Sequence, residues 1–423
     1  MMTRLSAWRG VTLLALLFGY VGYYLCRSNW AVAKPLILEA YKDEGLSIER
    51  LGDIESAAIL CYAIGKAVNG PVADLLGGRR IFLLGMVLSA IVTLLLGLTG
   101  GVAAFLVLSM TNRFVQSMGW GGLLQVVGKW FPPKSHGTVM GILSMSYLLG
   151  DALAKAYLGL FAKETNWDEI FFISAGSLAV IAVVCAVALK SSPSEVGLPE
   201  QPPPPENVHG TDESMKPSLI QLLVPLLMSS TFLLVCLLNG GLTLIRETFR
   251  TWTPTYLVQA ADLSARDASL NASLLSVAGA VASLFTGIFT DRLNGRYGLV
   301  LVPMLLAATA GMIFLSTLDP KADLRLTIAT LCFMSFFILG PYTLCSGVMA
   351  LGLGGKKGGG TAAGLIDTCG YLAGTLAGSG VARVAGRYGW SAAFEVLAYA
   401  AGATALAAML YWANEIRLRR RMP

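Results

Sequence analysis

The longest polar stretch of the chain is KSSPSEVGLPEQPPPPENVHGTDESMKP, residues 190–217. The four consecutive prolines within it, Pro202 to Pro205, cannot pack into a helix bundle and are typical of a semi-rigid linker. Both sides of this stretch are predominantly apolar, with six hydrophobic segments before it and six after it. The stretch therefore predicts two six-helix bundles, residues 1–190 and 218–423, joined by a cytoplasmic linker at 191–217.

Composition places the apolar segments in a membrane. The chain has 423 residues, of which 55% are hydrophobic and 13% are charged, and its mean hydropathy is +0.66. Because soluble proteins carry about 25% charged residues, these values exclude a large soluble enzyme and a disordered or fibrous protein. A helix needs about 20 apolar residues to cross a bilayer, so we predict an all-α membrane protein with twelve transmembrane helices in two pseudo-symmetric six-helix bundles. The predicted spans are 11–26, 54–73, 81–99, 102–128, 138–161, 169–189, 219–245, 269–290, 297–317, 325–352, 360–382 and 391–413.

The basic residues predict how the chain is oriented in the membrane. With the N-terminus in the cytoplasm, the inner loops and ends hold sixteen Lys and Arg, and the outer loops hold eight. Cytoplasmic loops of membrane proteins are enriched in these residues, so we expect both termini inside, in a bacterial inner membrane. The same enrichment of Lys and Arg in cytoplasmic loops explains the net charge of +6, so this charge does not indicate nucleic-acid binding.

The placement of the cysteine and histidine residues does not indicate a metal or cofactor site. The seven cysteines all lie in apolar segments without a CxxC pair, and the two histidines, His136 and His209, lie in predicted loops. Cysteines in such segments behave as small apolar residues. We therefore expect no disulfide, no metal and no cofactor, and the spans contain no nucleophile–base set that would indicate an enzyme.

The two halves repeat each other. Residues of the first half recur in the same order in the second half at offsets of 217 to 223 residues. The repeated pairs are Arg27 with Arg246, Pro35 with Pro254, Asp74 with Asp291, Gly137-Thr138 with Gly360-Thr361, and Trp167 with Trp390. Such a series indicates duplicated six-helix halves, a plan found in transporters that bind substrate near the midplane between the repeats.

Two arginines of the repeat are candidates for binding an anion. A charge at membrane depth is costly unless it faces a cavity or a partner, and apolar sequence continues beyond Arg27 to about residue 40. A guanidinium group offers a planar fork of donors that suits phosphate or carboxylate. We hypothesise that Arg27 and Arg246 bind one anion from opposite sides, and that Lys66 adds a third positive charge. The alternative is that the first span ends at Arg27 and that both Arg27 and Lys66 extend to the membrane surface.

Acidic residues within the spans leave two roles open. Asp151, Glu247 and Asp367 either neutralise a nearby base, such as Lys155, or carry a proton in coupled transport. Arg250 either pairs with Glu247 or adds positive potential on the same helical face. The sequence does not decide between these roles.

Candidate gating residues fall into two groups. GPVADLLGGRR (70–80) and GIFTDRLNGRYG (287–298) place Asp74 and Asp291 beside arginines at the ends of two spans, which suggests an ion-pair latch that opens and closes. The alternative is a pair of ordinary positively charged loops, and Arg113 is a further structural or coupling charge. Aromatic residues that either line the site or serve packing are Tyr20, Tyr24, Tyr62, Trp120, Tyr147 and Tyr371.

Six motifs, in order along nearly the whole chain, carry a family resemblance. They are YYLCRSNWAVAKP (23–35), YAIGKAVNGPVAD (62–74), QSMGWGG (116–122), PSEVGLPE (193–200), WTPTYL (252–257) and GTAAGLIDTCGYLAG (360–374). With the repeated GxxxD…R pattern and the plan of six plus six spans, they resemble the major facilitator superfamily. Within it they resemble the organophosphate:inorganic phosphate antiporter family, which includes glycerol-3-phosphate and hexose-6-phosphate transporters.

The resemblance implies a secondary active transporter that exchanges a sugar phosphate or glycerol phosphate for inorganic phosphate by alternating access. In that family the residues equivalent to Arg27 and Arg246 bind phosphate, and the equivalent of Lys66 contributes to the site. Aromatic residues that correspond to family site residues are Tyr20, Tyr24, Tyr62, Trp120 and Tyr371. We expect the chain to work as a monomer.

Some residues depart from the glycerol-3-phosphate branch of the family. Tyr147 stands where that branch has a histidine, and Arg113 restores a superfamily arginine that the branch lacks. Glu247, Arg250 and Asp367 have no match there. These departures keep two rival functions open: a proton-coupled carrier of another organic anion, and a membrane sensor like the hexose-phosphate receptors of the family.

Overall fold

A computed structural model of the chain describes residues 2–41, 48–161, 166–202, 207–208 and 218–420. Within these ranges the regular elements are helices and there is no strand. The all-α prediction is therefore confirmed. Within the predicted linker, 191–217, residues 203–206 and 209–217 lie outside the described residues.

The α-helices are numbered in chain order. Those before the linker are α1 (Met2–Ala40), α2 (Ile48–Leu76), α3 (Gly78–Leu98), α4 (Val102–Gln116), α5 (Met118–Trp130), α6 (His136–Gly159) and α7 (Trp167–Ala188). Those after it are α8 (Leu219–Leu227), α9 (Ser230–Ala261), α10 (Ala265–Arg292), α11 (Gly298–Thr317), α12 (Leu324–Thr343), α13 (Ala350–Gly374) and α14 (Leu376–Arg419). A π-helical turn, Leu344–Met349, joins α12 to α13.

The described helices accommodate the twelve predicted spans. Ten segments of the described residues are long and apolar enough to cross a membrane. One of them, Leu324–Gly378, has 55 residues and a length of about 80 Å, enough for two crossings of a hydrocarbon core of about 30 Å. The fourth predicted span is not among the ten because Ser117 divides it into α4 and α5. Counting the 55-residue segment as two spans and adding the span formed by α4 and α5 gives twelve spans, the number predicted from the sequence.

Several predicted boundaries are wrong. The first span was placed at 11–26, whereas α1 runs from Met2 to Ala40 and contains Arg27. The seventh was placed at 219–245, whereas the helix that crosses is α9. It begins after Ser229, whose hydroxyl caps it by accepting a hydrogen bond from the Phe232 N–H. The alternative in which the first span ends at Arg27 is not supported, because α1 continues past it.

Packing divides the chain into two compact units. Unit 1 comprises Met1–Pro133, Met145–Leu223 and Ala350–Thr368, and unit 2 comprises Lys134–Ser144, Val224–Met349 and Cys369–Pro423. Each unit therefore includes one short segment from the other half of the sequence. The predicted domain boundaries at 190 and 218 follow the linker and stay a prediction. Segment 350–368 packs in unit 1, and segment 134–144 packs in unit 2.

The repeated tryptophans occupy matching aromatic clusters. In unit 1 the Trp167 ring lies edge-on to Phe105, with ring centroids 5.4 Å apart. In unit 2 the Trp390 ring lies edge-on to Tyr256, with centroids 5.5 Å apart. Edge-to-face pairs at this distance stabilise packing beyond the burial of their surface. The clusters also join the first helix of each half to the last, since Trp30 of α1 packs on Phe171 of α7, with ring centroids 6.1 Å apart, and Tyr256 of α9 packs on Trp390 of α14.

Candidate functional site

Arg27 projects from the middle of α1 into a polar and aromatic environment within unit 1. Its Nε donates a hydrogen bond of 3.0 Å to the Gln116 side-chain oxygen. The guanidinium carbon lies 4.9 Å from the centre of the Tyr24 ring and 4.5 Å from that of Tyr62. Both rings can therefore stabilise the cation through their negative faces. Arg27 is thus held between α1, α2 and α4.

Lys66 forms a buried ion pair with Asp367. The Lys66 Nζ lies 2.7 Å from Asp367 Oδ2, and each side chain is only 4% exposed. The ammonium group is also 5.1 Å from the centre of the Tyr62 ring, so the same ring faces Arg27 and Lys66. Among the described residues, Asp367 Oδ1 is a buried oxygen without a hydrogen-bond partner. The structure thus joins α2 to α13 through a pair of opposite charges.

Aromatic rings surround this basic cluster in unit 1. The Tyr20 ring packs against Trp120 at 5.3 Å and against Tyr24 at 6.0 Å, and Trp120 packs edge-on to Tyr147 at 5.7 Å. Of the six aromatic candidates, five are therefore brought together with Arg27 in one unit. The sixth, Tyr371, belongs to unit 2.

A second basic cluster lies on α9 in unit 2. The Arg246 Nε donates to Glu247 Oε1 at 3.2 Å, and the Arg250 Nε donates to Glu247 Oε2 at 2.8 Å. The Arg246 guanidinium carbon is 4.2 Å from the centre of the Tyr342 ring. One carboxylate thus bridges two cations, while the Arg250 side chain stays 60% exposed.

Two further charged candidates, Asp151 and Arg113, lie within unit 1. Asp151 pairs with Lys155 at 2.6 Å and also accepts a hydrogen bond of 2.6 Å from the Ser28 hydroxyl. Each of the three acidic candidates therefore has a basic partner, which is the geometry of the neutralising alternative. Arg113 lines a small cavity that is also bounded by Arg27.

Asp74 and Asp291 make matching contacts with helix N-termini, since non-helical backbone at Gly355 and Gly358 divides α13 and a new helical stretch begins close to Gly360, as α6 begins at His136. Asp74 accepts from the Gly360 N–H at 3.0 Å, from the Thr361 N–H at 2.6 Å and from the Thr361 hydroxyl at 2.7 Å. Asp291 accepts from the N–H groups of Gly137 and Thr138 at 2.8 and 2.7 Å and from the Thr138 hydroxyl at 2.6 Å. A carboxylate is favourable there because the first N–H groups of a helix lack intrahelical partners and carry partial positive charge.

These contacts correct the predicted ion-pair latch. The arginine that follows Asp74, Arg79, instead donates to the backbone carbonyl groups of Leu189 and Ala186, at 2.6 and 2.7 Å. The latch exists as a carboxylate on a helix N-terminus, once in each unit. It holds segment 350–368 on α2 in unit 1, and segment 134–144 on α10 in unit 2.

Glycines allow the latched helices to approach closely. A Cβ atom at Gly364 would collide with the Lys66 carbonyl oxygen, and one at Gly287 would collide with the Gly137 carbonyl oxygen. Because the obstructing atoms belong to backbone, neither contact tolerates a larger residue without separation of the helices.

The sequence profile of the Major Facilitator Superfamily matches residues 16–378. The chain belongs to this superfamily. Its members are membrane transporters with duplicated halves, and the chain is accordingly an integral multi-pass membrane protein.

Relatives and a solved structure align over almost the whole chain. The glycerol-3-phosphate transporter of Bacillus subtilis (strain 168) is 27% identical over 91% of this chain and 88% of the relative. The probable hexose phosphate transport protein of Chlamydia trachomatis (serovar D) is 24% identical over 92% of this chain and 88% of the relative. The major facilitator structure of the proton:xylose symporter XylE is 13% identical, with a TM-score of 0.75 and coverage of 95% of both chains, which shows a shared fold.

Sequence reasoning missed two residues that contact the arginines of this major facilitator protein. Gln116 binds Arg27, and the Tyr342 ring lies against Arg246. Gln116 opens the quoted motif QSMGWGG and is a polar residue in an apolar span, which is a usable signal. Tyr342 has no comparable signal, because aromatic residues are common in apolar spans.

The helix-capping contacts of Asp74 and Asp291 lead to a stability prediction. We expect Asp74→Ala and Asp291→Ala each to lower the melting temperature by about 1–2 °C, because a lost cap costs about 1–2 kcal/mol. The measurement is thermal unfolding of purified protein in detergent. Asp53→Ala, at an exposed position on α2, is the control and should leave the melting temperature unchanged. Equal stability of all three variants would show that the caps contribute nothing.

Proposed function

We propose that this major facilitator protein is a secondary active transporter that exchanges a phosphorylated organic metabolite, of the sugar-phosphate or glycerol-phosphate type, for inorganic phosphate. The observation that carries the proposal is the pair of arginines at equivalent positions of α1 and α9, each inside a membrane helix and each against a tyrosine ring. Charged residues inside membrane spans are energetically costly, and in transporters they mark the path of the substrate. The names of the two aligned relatives, both phosphate-ester transporters, agree with this function.

The basic residues would bind the phosphate group. Arg27 and Arg246 supply guanidinium forks that match two phosphate oxygens, and Lys66 supplies a compact ammonium group. Tyr24 and Tyr62 keep the Arg27 guanidinium in place through their ring faces. The planar forks favour anions that present paired oxygen atoms, such as phosphate or carboxylate, and a lysine in their place would not provide this geometry.

The aromatic residues would contact the organic part of the substrate. Tyr20, Trp120 and Tyr147 form one continuous set of packed rings in unit 1, and Tyr371 is the candidate in unit 2. Rings with a polar edge suit a hydroxylated carbon chain, which has both apolar and hydrogen-bonding surface. Tyr147 in particular would distinguish this chain from the glycerol-3-phosphate branch.

Binding of the anion would control the change of conformation. In alternating access the halves move around a central site, and the contacts of Asp74 and Asp291 with helix N-termini hold one of the alternating conformations. Anion binding lowers the cost of burying the arginine charges, so the loaded carrier changes conformation readily. We place both termini in the cytoplasm because of the basic loops, and we place the protein in a bacterial inner membrane because the two aligned relatives come from bacteria. We expect it to act there as a monomer.

A ligand panel on purified protein tests the substrate class. We expect glucose-6-phosphate, glycerol-3-phosphate and inorganic phosphate to raise the melting temperature, because a ligand that binds only the folded state stabilises it. Glucose, glycerol and a simple dicarboxylate at equal concentration and ionic strength are the matched controls. Stabilisation by the dicarboxylate alone would contradict the proposal and favour a carrier of another organic anion.

A pH gradient and a ligand-binding comparison separate the two rivals. A proton-coupled carrier takes up its anion when a pH gradient is imposed on vesicles without internal phosphate. A sensor binds a phosphate ester in the thermal-shift panel but hardly transports it. The acidic residues that the proton-coupled rival requires, Asp151, Glu247 and Asp367, each lie within an ion pair.

A further inference from the structure

Two carboxylates of the chain stand beside basic groups of the proposed phosphate site. In unit 1 Asp367 pairs with Lys66, and both side chains are almost completely buried. In unit 2 Glu247 bridges Arg246 and Arg250, and the Arg246 and Glu247 side chains are 15% and 12% exposed. All of these residues lie well inside segments that are long and apolar enough to cross a membrane.

The physical problem for an anion carrier is its empty state. A basic group at membrane depth is costly without a counter-ion, and removing one partner of a buried ion pair is strongly destabilising. A carrier whose only counter-ion is its substrate therefore changes conformation only when loaded. Such a carrier exchanges one anion for another and performs no net transport.

We infer that Glu247 and Asp367 are internal counter-anions that replace the substrate phosphate when the carrier is empty, so that it returns unloaded and performs net transport as well as exchange. The inference rests on the proposed function, since it concerns the same basic residues. Its substrate class is a phosphate monoester or inorganic phosphate, moved without a second anion in the opposite direction.

The two carboxylates act in different ways. Glu247 lies on the same helix as Arg246 and Arg250, so its pairing moves with α9 and is available in every conformation. Asp367 lies on α13 and reaches Lys66 on α2 only while segment 350–368 packs in unit 1. Glu247 is therefore available to compensate charge in whichever conformation the site is empty, and Asp367 is available in the conformation with the Asp74 latch formed.

The alternative role for Asp367 is that of a tether between α2 and α13. A tether would stabilise the described conformation and would affect loaded and empty carriers alike. The unpaired oxygen Asp367 Oδ1 argues against a purely structural network, because buried carboxylates that serve structure normally have both oxygens satisfied. The two roles differ in their effect on the ratio of net transport to exchange.

The test measures both modes in the same proteoliposomes. Vesicles are loaded with radiolabelled phosphate, and its efflux is followed into medium that either lacks a transported anion or contains unlabelled phosphate. Potassium and valinomycin keep the membrane potential at zero. For the natural sequence we expect net efflux within about tenfold of exchange, and for Glu247→Gln and Asp367→Asn we expect the ratio of net efflux to exchange to fall at least about tenfold. Because it is a ratio, the result does not depend on the amount of folded protein.

Matched controls and opposite outcomes make the test decisive. Glu395→Gln and Asp319→Asn, at exposed positions, remove the same charges elsewhere and should leave the ratio unchanged. An unchanged ratio in Glu247→Gln and Asp367→Asn overturns the inference, as does a natural protein that exchanges without net efflux. Loss of exchange together with net efflux in both variants also counts against it, because a counter-anion for the empty state is not required in the loaded one. A natural protein that shows neither mode contradicts the proposed function instead.

Discussion

Arg27→Lys and Arg246→Lys are each expected to lower phosphate exchange about a hundredfold, although both variants keep the positive charge. A guanidinium group donates two parallel hydrogen bonds to phosphate, whereas an ammonium group is a point charge on a flexible stem. Charge-assisted hydrogen bonds contribute about 1.5–3 kcal/mol each, so losing one or two accounts for a factor of this size. In Arg27→Lys the loss includes the bond that the guanidinium makes with Gln116.

Exchange of radiolabelled phosphate in proteoliposomes measures this effect. Arg296→Lys, at an exposed position beyond α10, is the matched control and should transport at the natural rate. Thermal unfolding of all three variants shows whether they remain folded. If folded Arg27→Lys and Arg246→Lys both transport at natural rates, the proposed phosphate-binding role of the arginines is wrong.

Gly364→Val and Gly287→Val are expected to reduce exchange by at least about tenfold. A side chain at Gly364 collides with the backbone of α2 at Lys66. One at Gly287 collides with the backbone of Gly137, in the first turn of α6. Overpacking of this kind costs typically about 1–3 kcal/mol even where side chains can adjust, and backbone atoms adjust less. The substitutions therefore separate the latched helices and disfavour one of the alternating conformations.

The measurement combines exchange rates with thermal unfolding. Gly386→Val on α14 is the control, because a Cβ atom there meets no other atom within 4 Å. We expect the control to keep both its exchange rate and its melting temperature. Natural exchange rates in Gly364→Val and Gly287→Val would show that close approach of these helices is not needed for transport.

Much of the fold can be predicted from the sequence because the two halves of the chain repeat each other. The pair of Arg27 and Arg246 and the pair of Asp74 and Asp291 recur at a near-constant offset, and the structure gives the members of each pair matching surroundings. Apolar segments of sufficient length predict the spans for a physical reason, since backbone groups in a bilayer are satisfied only within helices or barrels.

The contacts between distant residues could not be predicted in this way. Lys66 and Asp367 are separated by 301 positions, and nothing local to either residue names the other. The latch of Asp74 was expected to involve an arginine because charged neighbours are visible in a sequence, whereas the free N–H groups of a helix end are not. Segment 350–368 belongs to the second half by its order in the chain and packs within unit 1, which the order alone does not reveal.

The predicted span boundaries differ from the helix ends in the structure where a helix begins or ends without a strong sequence signal. Ser117 interrupts the fourth span although it is followed by residues that continue the apolar pattern. For α1 the apolar pattern beyond Arg27 does indicate the longer helix, which ends at Ala40, whereas the span predicted at 11–26 stops at the charge of Arg27. Within unit 1 the Arg27 side chain is accommodated by its hydrogen bond with Gln116, a contact that the local pattern does not show.

Exchange by the purified protein tests the central claim most directly. Proteoliposomes loaded with unlabelled phosphate are diluted into radiolabelled phosphate, with and without glucose-6-phosphate or glycerol-3-phosphate outside. The account predicts rapid entry of the label and its inhibition by at least one of these phosphate esters, but not by glucose or glycerol. Folded protein that neither exchanges phosphate nor responds to any phosphate ester would contradict it.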